Sequence, residues 1–141
     1  MSLLEKAIAI AVEAHRGKND RAGQPYILHP LRVMFRVESE AERIVAALHD
    51  VVEDHGDVWP MERLRQEGFP PEILEALDGV TKRDGETYEQ FIERSAQNPI
   101  SIRVKLADLE DNMDVRRLSQ VTEKDRERLN RYVAAYRRLR R

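Results

Sequence analysis

Residues 46–54 of the chain read AALHDVVED, an apolar run that carries the ionisable side chains of His49, Asp50, Glu53 and Asp54. The apolar residues before and between these groups predict a helix in the protein core. Imidazole and carboxylate groups are costly to bury unless they are paired or bound to a cation. On one continuous helix, side chains four residues apart would form two neighbouring polar stripes. We therefore expect a core helix that presents a polar site, whose charges a metal ion would compensate.

Capping boxes mark the starts of further helices. In each box a Ser or Thr is followed three residues later by an acidic or amide side chain, so that two free backbone N–H groups gain acceptors. Four pairs have this spacing: Ser2/Glu5, Ser39/Glu42, Thr87/Gln90 and Thr122/Asp125. Further first helical positions are predicted at Pro30, Pro71 and Pro99, with Asn98 as the cap before the last of them. No strand-like alternation of useful length remains, so we predict an all-α fold, a single compact bundle of about seven or eight helices.

Length and composition favour one helical domain. The 141 residues suit one globular domain and leave little room for a second, so we assign residues 1–141 to a single domain. A hydrophobic content of 41% is enough to build one core. Charged residues make up 35% of the chain and aromatic residues only 6%, which is typical of long solvated helix faces and unlike a β-sandwich.

Charge and cysteine content exclude several classes of function. The 24 Lys and Arg residues against 26 Asp and Glu residues leave a formal charge of -2, so no general positive field attracts nucleic acid polymers or an anionic membrane. The absence of cysteine excludes disulfides, thiolate metal sites and Cys nucleophiles. No apolar run approaches the roughly 20 residues of a membrane span, and the N-terminus lacks a signal-peptide pattern. We expect a soluble, cytoplasmic protein, and the oligomeric state is left open.

Two further segments supply side chains of the kind that bind metal ions. His29 stands in the sequence PYILHP, where a turn leads into a helix. Residues 105–112 read KLADLEDN and place Asp108, Asp111 and Asn112 on one helical face. Two imidazoles and two carboxylates from three separate elements suit a divalent cation such as Mn²⁺ or Fe²⁺, with water or substrate at the remaining positions. Such an open coordination site is typical of a catalytic metal.

The order of these groups, a His, then a His-Asp pair and then a distant Asp, resembles the HD superfamily of metal-dependent phosphohydrolases, whose domains are all-helical. Within it the chain is most similar to the hydrolase domain of the RelA/SpoT-type stringent-response enzymes and to their stand-alone relatives, the small alarmone hydrolases. The similarity extends to about residue 117 and rests on GQPYILHP at 23–30, AALHDVVED at 46–54, DGVTK at 78–82, and KLAD at 105–108 with Asn112-Met113.

The resemblance implies an enzyme that removes the 3′-diphosphate from guanosine tetra- or pentaphosphate, (p)ppGpp, in a reaction that depends on Mn²⁺, with Fe²⁺ or another divalent ion as a substitute. The positions that match the metal ligands of the family are His29, His49, Asp50 and Asp108. Glu53 and Asp54 match the acidic pair that orients and deprotonates the attacking water. On the substrate side, Asn112 matches a residue at the ribose-phosphate end, and the further candidates are Arg21, Tyr26 and Lys105. We expect a small nucleotide polyphosphate as the partner and, because no synthetase segment is present, hydrolysis without synthesis.

The chain departs from the family pattern on the substrate side. The family usually has an Arg and a Ser in the loop before Gly23, an Arg after the last metal ligand, a His before the Asn, and a Thr three residues after it. The corresponding positions here are Asp20 and Ala22 in the loop, then Leu109, Asp111 and Val115. Cationic and hydroxyl groups are thus replaced by acidic or apolar ones. These differences predict intact metal chemistry with altered substrate recognition.

Other conspicuous residues have simpler explanations. His15 ends the first predicted helix, where interaction with the helix dipole explains it as well as an approach to the site. His55, which Gly56 follows, is expected at an exposed helix end. Trp59 and Phe69 are expected to anchor the core.

Two alternative functions remain open at this stage. One is a nucleotide phosphatase or phosphodiesterase of the wider HD superfamily that acts on another substrate, such as an adenosine alarmone or NADPH. The other is a non-catalytic HD scaffold that binds a nucleotide or a protein partner. Retention of all the matched metal ligands and both acidic residues favours an enzyme, because a scaffold has no reason to keep so many polar groups in a core.

Overall fold

Nine α-helices make up the fold in a computed structural model that describes all residues from Met1 to Arg141. They are α1 (Leu3–His15), α2 (Leu28–Phe35), α3 (Glu40–Leu48), α4 (Val51–His55), α5 (Met61–Gln66), α6 (Pro71–Gly79), α7 (Tyr88–Ser95), α8 (Pro99–Asn112) and α9 (Glu123–Leu139). A short 3₁₀ helix, Val115–Arg117, precedes α9. One isolated bridge pair and no strand is present, which confirms the predicted all-α class.

The predicted helix starts are confirmed with one exception. All four capping boxes form, with the Ser or Thr oxygen accepting from the third backbone N–H and the side chain of that third residue accepting from the cap. Pro71 and Pro99 are first helical residues, and Asn98 caps α8. The prediction for Pro30 is wrong, because α2 begins two residues earlier, at Leu28. Pro30 is nevertheless tolerated, since N–H groups of the first helical turn have no partner inside the helix.

The predicted continuous helix over residues 46–54 is interrupted. α3 ends at Leu48 and α4 begins at Val51, with His49 and Asp50 in the turn between them. The His49 ring donates from Nδ1 to the carbonyl oxygen of Ala46 at 2.7 Å and occupies the acceptor that a continuing α-helix would use. Asp54 still donates its backbone N–H to the carbonyl of Asp50 at 3.0 Å, so the chain resumes a helical path at once. The break lets two consecutive side chains face the same site.

The core surrounds α3, which packs against α1, α2, α6 and α8. Its apolar residues from Ile44 to Leu48 are all buried. Trp59 and Phe69 are buried in the same core, as expected. A smaller apolar cluster joins α9 to α7 and α8. No helix has both the length and the hydropathy that crossing a membrane requires.

A tight contact between α6 and α8 gives a test of this packing. A methyl group on Gly79 would lie 2.9 Å from Cβ of Ser101 and closer still to its hydroxyl. That hydroxyl donates to the carbonyl of Ala76 at 2.7 Å, so it has little freedom to move. We expect Gly79→Ala to lower the free energy of unfolding by about 1–3 kcal/mol through overpacking. Urea denaturation measures the change.

The same substitution in a Ser101→Ala background serves as the control for Gly79→Ala. Removal of the Ser101 hydroxyl takes away the nearest clash. Gly79→Ala should therefore lower the free energy of unfolding by less in that background than in the wild type. A Gly79→Ala protein whose stability stays within about 0.5 kcal/mol of the wild type would contradict the contact.

Candidate functional site

Four side chains from three parts of the chain meet between α2, α8 and the turn after α3. His29 comes from α2, His49 and Asp50 come from the turn, and Asp108 comes from α8. All four residues are buried, and they are the set matched to metal ligands in the sequence. Oδ1 of Asp108 lies 3.0 Å from Nε2 of His29 and 3.2 Å from Nε2 of His49. Oδ2 of Asp50 lies 3.6 and 3.2 Å from the same two nitrogens.

Both histidine rings are held by their Nδ1 atoms. Nδ1 of His49 donates to the carbonyl of Ala46, and Nδ1 of His29 lies 2.6 Å from Oδ2 of Asp111. A carbonyl and a carboxylate only accept, so each Nδ1 carries the proton. The two Nε2 atoms lie 3.3 Å apart, beside two carboxylates. Burial lowers the pKa of both rings, but the neighbouring carboxylates outweigh burial and raise it, so each Nε2 also holds a proton when no cation is bound. A cation that replaces these protons would meet two nitrogen lone pairs beside two carboxylates.

The donor set fits a divalent cation. Ligand atoms about 2.1 Å from an ion lie roughly 3.0–3.4 Å from one another in octahedral or tetrahedral sites. The distances between the facing atoms here are 3.0, 3.2, 3.2, 3.3 and 3.6 Å. His29, His49 and Asp50 form a group whose potential ligand atoms all lie within 4.8 Å of one another. These three residues have the atoms and the spacing of a mixed nitrogen and oxygen metal site, and Asp108 contacts both histidines without being part of that group.

Charges inside the site keep the carboxylates ionised. Burial raises the pKa of Asp108, but the Lys105 ammonium, 2.9 Å from its Oδ2, and His49 bring that pKa well below its usual range. Burial alone would lower the pKa of Lys105, yet the Asp108 carboxylate raises it above the ordinary lysine value. For Asp50, the opposing charge of His49 outweighs burial and lowers its pKa. The carboxyl groups of Asp50 and Asp108 are therefore both ionised at neutral pH.

The two acidic residues of α4 lie at the rim of this centre. Glu53 accepts a hydrogen bond from the backbone N–H of Lys82 at 2.7 Å, and Asp54 accepts one from Nζ of Lys18 at 3.0 Å. Both line a cavity of about 280 Å³ that also contains the four clustered side chains; we call it the acidic cavity. Burial raises the pKa of Glu53 above the ordinary glutamate value, which makes its carboxylate a stronger proton acceptor.

Three of the four substrate-side candidates contact the clustered carboxylates. The Tyr26 hydroxyl donates to Oδ2 of Asp50 at 2.5 Å. Nδ2 of Asn112 donates to Oδ1 of Asp108 at 3.1 Å, and Lys105 pairs with the other oxygen of the same carboxylate. All three also line the acidic cavity, so their remaining surfaces face any molecule bound there.

Arg21 lines a second cavity, of about 350 Å³, that we call the arginine-lined cavity. The two cavities adjoin, since Tyr26, His29, Asn112 and Tyr132 line both. Sequence reasoning missed three more arginines there: Arg32, Arg117 and Arg128. Arg32 had a detectable signal, because it follows His29 by three residues on α2 and so shares its face. The other two lie in segments without a motif.

Carboxylates already pair with most cations of the arginine-lined cavity. Arg21 forms an ion pair with Asp125, a residue that Arg128 also approaches to 3.6 Å. Arg32 and Arg117 pair with Asp111, at 2.8 and 3.5 Å. The cavity therefore carries less free positive charge than its arginines alone suggest.

Asp111 lies behind His29, away from the facing Nε2 atoms. Its carboxylate is completely buried and contacts Nδ1 of His29 and the guanidinium of Arg32. The sequence predicts that this residue alters substrate recognition, and that stays a prediction. Asp111 contacts His29, and together with its partners Arg32 and Arg117 it also lines the arginine-lined cavity.

His15 and His55 both end helices as expected, but the exposure expected for His55 is wrong. His15 ends α1 but is buried, with its ring centroid 4.9 Å from that of Tyr26 and its Nδ1 3.1 Å from Nε2 of His55. Burial lowers the pKa of His15 to about 4, so the ring is neutral at physiological pH. His55 ends α4 and is half-buried against His15. His15 therefore packs against the ring of Tyr26, whose hydroxyl donates to Asp50.

The chain is similar to known proteins both in sequence and in fold. No protein-family model matches the chain. It is 36% identical over 126 residues to a probable GTP pyrophosphokinase of Mycobacterium leprae, across 80% of this chain and 16% of that protein. It is 32% identical over 122 residues to a guanosine-3′,5′-bis(diphosphate) 3′-pyrophosphohydrolase of Aquifex aeolicus, across 78% of this chain and 17% of that protein.

A third relative is the bifunctional (p)ppGpp synthase/hydrolase SpoT of Escherichia coli, 32% identical over 126 residues, across 78% of this chain and 17% of that protein. The chain spans about one sixth of the length of these curated relatives. A solved structure described as a metazoan orthologue of SpoT that hydrolyses ppGpp superposes with a TM-score of 0.80. At 22% identity it covers all of this chain and 86% of that one, and it shows the shared fold.

Proposed function

The chain belongs to the RelA/SpoT-type HD-domain family, and on that premise we propose that it hydrolyses (p)ppGpp, releasing the 3′-diphosphate as pyrophosphate. The observation that carries the proposal is the convergence of two histidine Nε2 atoms and two carboxylates beside an acidic pair. A site of this composition suits attack by a metal-activated water on a phosphate ester.

Four side chains would hold the metal ion: His29, His49, Asp50 and Asp108. We propose Mn²⁺, because imidazole and carboxylate ligands without thiolate suit Mn²⁺ and Fe²⁺ better than softer ions. When bound, the ion supplies a water of lowered pKa and screens the negative charge of the phosphates.

Glu53 would accept the proton of the attacking water. Its carboxylate is held by the N–H of Lys82, faces the acidic cavity and has a raised pKa. The new bond forms between the water oxygen and the phosphorus attached to O3′, and the bond from that phosphorus to O3′ breaks. O3′ leaves with the bonding electron pair and gains a proton to become the 3′-hydroxyl, which balances the proton taken from the water. Asp54, fixed by Lys18, would orient the same water. No covalent intermediate with the protein is required.

The nucleoside and its 5′-phosphates would occupy the arginine-lined cavity. This cavity adjoins the acidic one at Tyr26 and Asn112, so a nucleotide that lies across both brings its 3′-diphosphate to the metal ligands. Two arginines of this cavity, Arg32 and Arg117, form ion pairs with Asp111, whose carboxylate also contacts His29.

Weak discrimination between bases is a second part of the proposal. The loop that the family uses for the base has few free polar groups here. Oδ1 of Asp20 accepts the N–H groups of Ala22 and Gln24, both at 2.9 Å, and Arg21 is paired with Asp125. Ala22 has no hydroxyl. A pocket without dedicated hydrogen-bonding groups rejects a near-isostere only weakly.

A substrate panel tests both parts. We expect the Mn²⁺-loaded protein to hydrolyse guanosine tetraphosphate and its adenosine counterpart with kcat/KM values within about 100-fold of each other. A larger preference for the guanosine compound would contradict weak discrimination between bases and leave the proposed hydrolysis intact. Hydrolysis of NADPH without either tetraphosphate would favour another HD-type phosphatase, and stoichiometric metal binding without any turnover would favour a non-catalytic scaffold.

A further inference from the structure

Asp111 is a fully buried carboxylate that the proposed reaction does not use. It lies on α8, and its side chain has no exposed surface. Its Oδ2 is 2.6 Å from Nδ1 of His29, on the side of the ring opposite to Asp108. A buried carboxylate is costly unless several donors satisfy it, so its contacts point to a defined task.

His29 is contacted at both ring nitrogens. Nδ1 donates to Asp111, while Nε2 lies 3.0 Å from Asp108 and 3.3 Å from Nε2 of His49. Because a carboxylate accepts and does not donate, Asp111 keeps a proton on Nδ1, so the proton that a metal ion would replace is the one on Nε2. His49 gains the same orientation from the carbonyl of Ala46. The two rings thus have matching supports, one from the backbone and one from a side chain.

Asp111 is itself held in place by three arginines: Arg32, Arg117 and Arg36, whose Nη2 lies 3.4 Å from Oδ1. Nε and Nη2 of Arg32 donate to its two oxygens at 2.8 and 3.1 Å. Arg117 donates to its backbone carbonyl at 2.7 Å. A side chain fixed at both oxygens has no freedom to rotate, so the acceptor for His29 stays in one position.

We propose that Asp111 is a positioning residue of the metal centre, which orients His29 so that Nε2 faces His49, Asp50 and Asp108. The inference rests on the metal centre of the proposed function. Outer partners of metal-bound histidines typically contribute about 10–100-fold to metal affinity. Asp111 therefore affects metal binding through His29 without itself contacting the ion.

Metal titration of the purified full chain tests this role, with Mn²⁺ as the probe and electron paramagnetic resonance as the readout of free ion. Asp111→Leu removes the acceptor, and we expect it to weaken Mn²⁺ binding about 100-fold. Asp111→Asn keeps a neutral oxygen acceptor, and we expect a loss of about 10-fold. The Mn²⁺ concentration for half-maximal turnover should shift by the same factors.

Asp114→Asn is the matched control, because it removes the same charge three residues away. Asp114 pairs with Arg116 and Arg117 and makes no contact with His29. Its Mn²⁺ affinity should stay within about twofold of the wild type. Circular dichroism shows whether each variant is folded. If Asp111→Leu is unfolded, the Mn²⁺ affinity of Asp111→Asn is the test of the positioning role.

Each outcome has a distinct meaning. Graded weakening at Asp111 with an unchanged control supports the positioning role. Wild-type affinity in folded Asp111→Leu, or equal losses in Asp111→Asn and Asp114→Asn, would overturn it and leave the proposed function intact. A wild-type protein that binds no divalent ion would overturn the proposed metal centre and this inference together.

Discussion

Asp50→Ala is expected to abolish stoichiometric Mn²⁺ binding and, with it, turnover of (p)ppGpp. Asp50 lies within 3.6 Å of Nε2 of both His29 and His49, and no other side chain approaches both nitrogens from its side of the cluster. Outer partners of a metal site already contribute about 10–100-fold to affinity, so loss of a direct ligand should weaken binding by at least about 100-fold. Titration calorimetry with Mn²⁺ measures the affinity.

Asp57→Ala is the control for Asp50→Ala, since Asp57 is an exposed carboxylate just after α4 that lines neither cavity. It should keep Mn²⁺ affinity and turnover within about twofold. Asp50→Ala removes a buried charge, and circular dichroism must show that the variant is folded. A folded Asp50→Ala protein with wild-type affinity for Mn²⁺ would show that the ion binds elsewhere.

Glu53→Gln is expected to lower kcat by about 10²–10⁴-fold while Mn²⁺ affinity stays within about twofold, because the carboxylate is assigned to accept a proton and not to bind the ion. The amide oxygen of Gln still accepts the N–H of Lys82, so the local structure is preserved. Steady-state kinetics at saturating Mn²⁺ gives the change in kcat.

An exposed glutamate on α6 provides the comparison for Glu53→Gln. Glu72→Gln makes the same chemical change outside both cavities and should leave kcat unchanged. If Glu53→Gln retains more than about one tenth of wild-type kcat, Glu53 is not the proton acceptor, and Asp54 becomes the next candidate.

Local features of the fold are predictable from the sequence, and the interruption after α3 is not. Capping boxes such as Ser39/Glu42 form between residues three apart, so the sequence alone contains both partners. The helix break at His49 depends on its ring taking the carbonyl of Ala46 while its Nε2 faces α2 and α8. Those neighbours are distant in sequence, and helical periodicity does not report them.

In the candidate site, too, some features are predictable from the sequence and others depend on tertiary contacts. The side chains matched to metal ligands are identified from the resemblance, and the structure brings their ligand atoms together. Their supporting contacts depend on packing: Tyr26 on Asp50, and Lys105 and Asn112 on Asp108. Arg117 and Arg128 come from segments with no motif, so nothing in the sequence relates them to the cavity.

Asp111 differs from the family pattern, and the structure shows contacts of its side chain that the sequence does not reveal. As a sequence change, an acidic residue near a polyanion site indicates weaker substrate binding. In the structure its carboxylate contacts Nδ1 of His29 and pairs with the guanidinium of Arg32. The helical face of a residue predicts its neighbours on the same helix, but not which ring from another helix lies against it.

Hydrolysis of guanosine tetraphosphate in ¹⁸O-labelled water, followed by mass spectrometry of the products, tests the central claim most directly. The Mn²⁺-loaded protein should yield GDP and pyrophosphate, with one ¹⁸O atom in the pyrophosphate and none in the GDP. That pattern follows from attack of water on the phosphorus attached to O3′. Release of inorganic phosphate with retention of a 3′-monophosphate, label in the GDP, or no turnover at all would contradict the account.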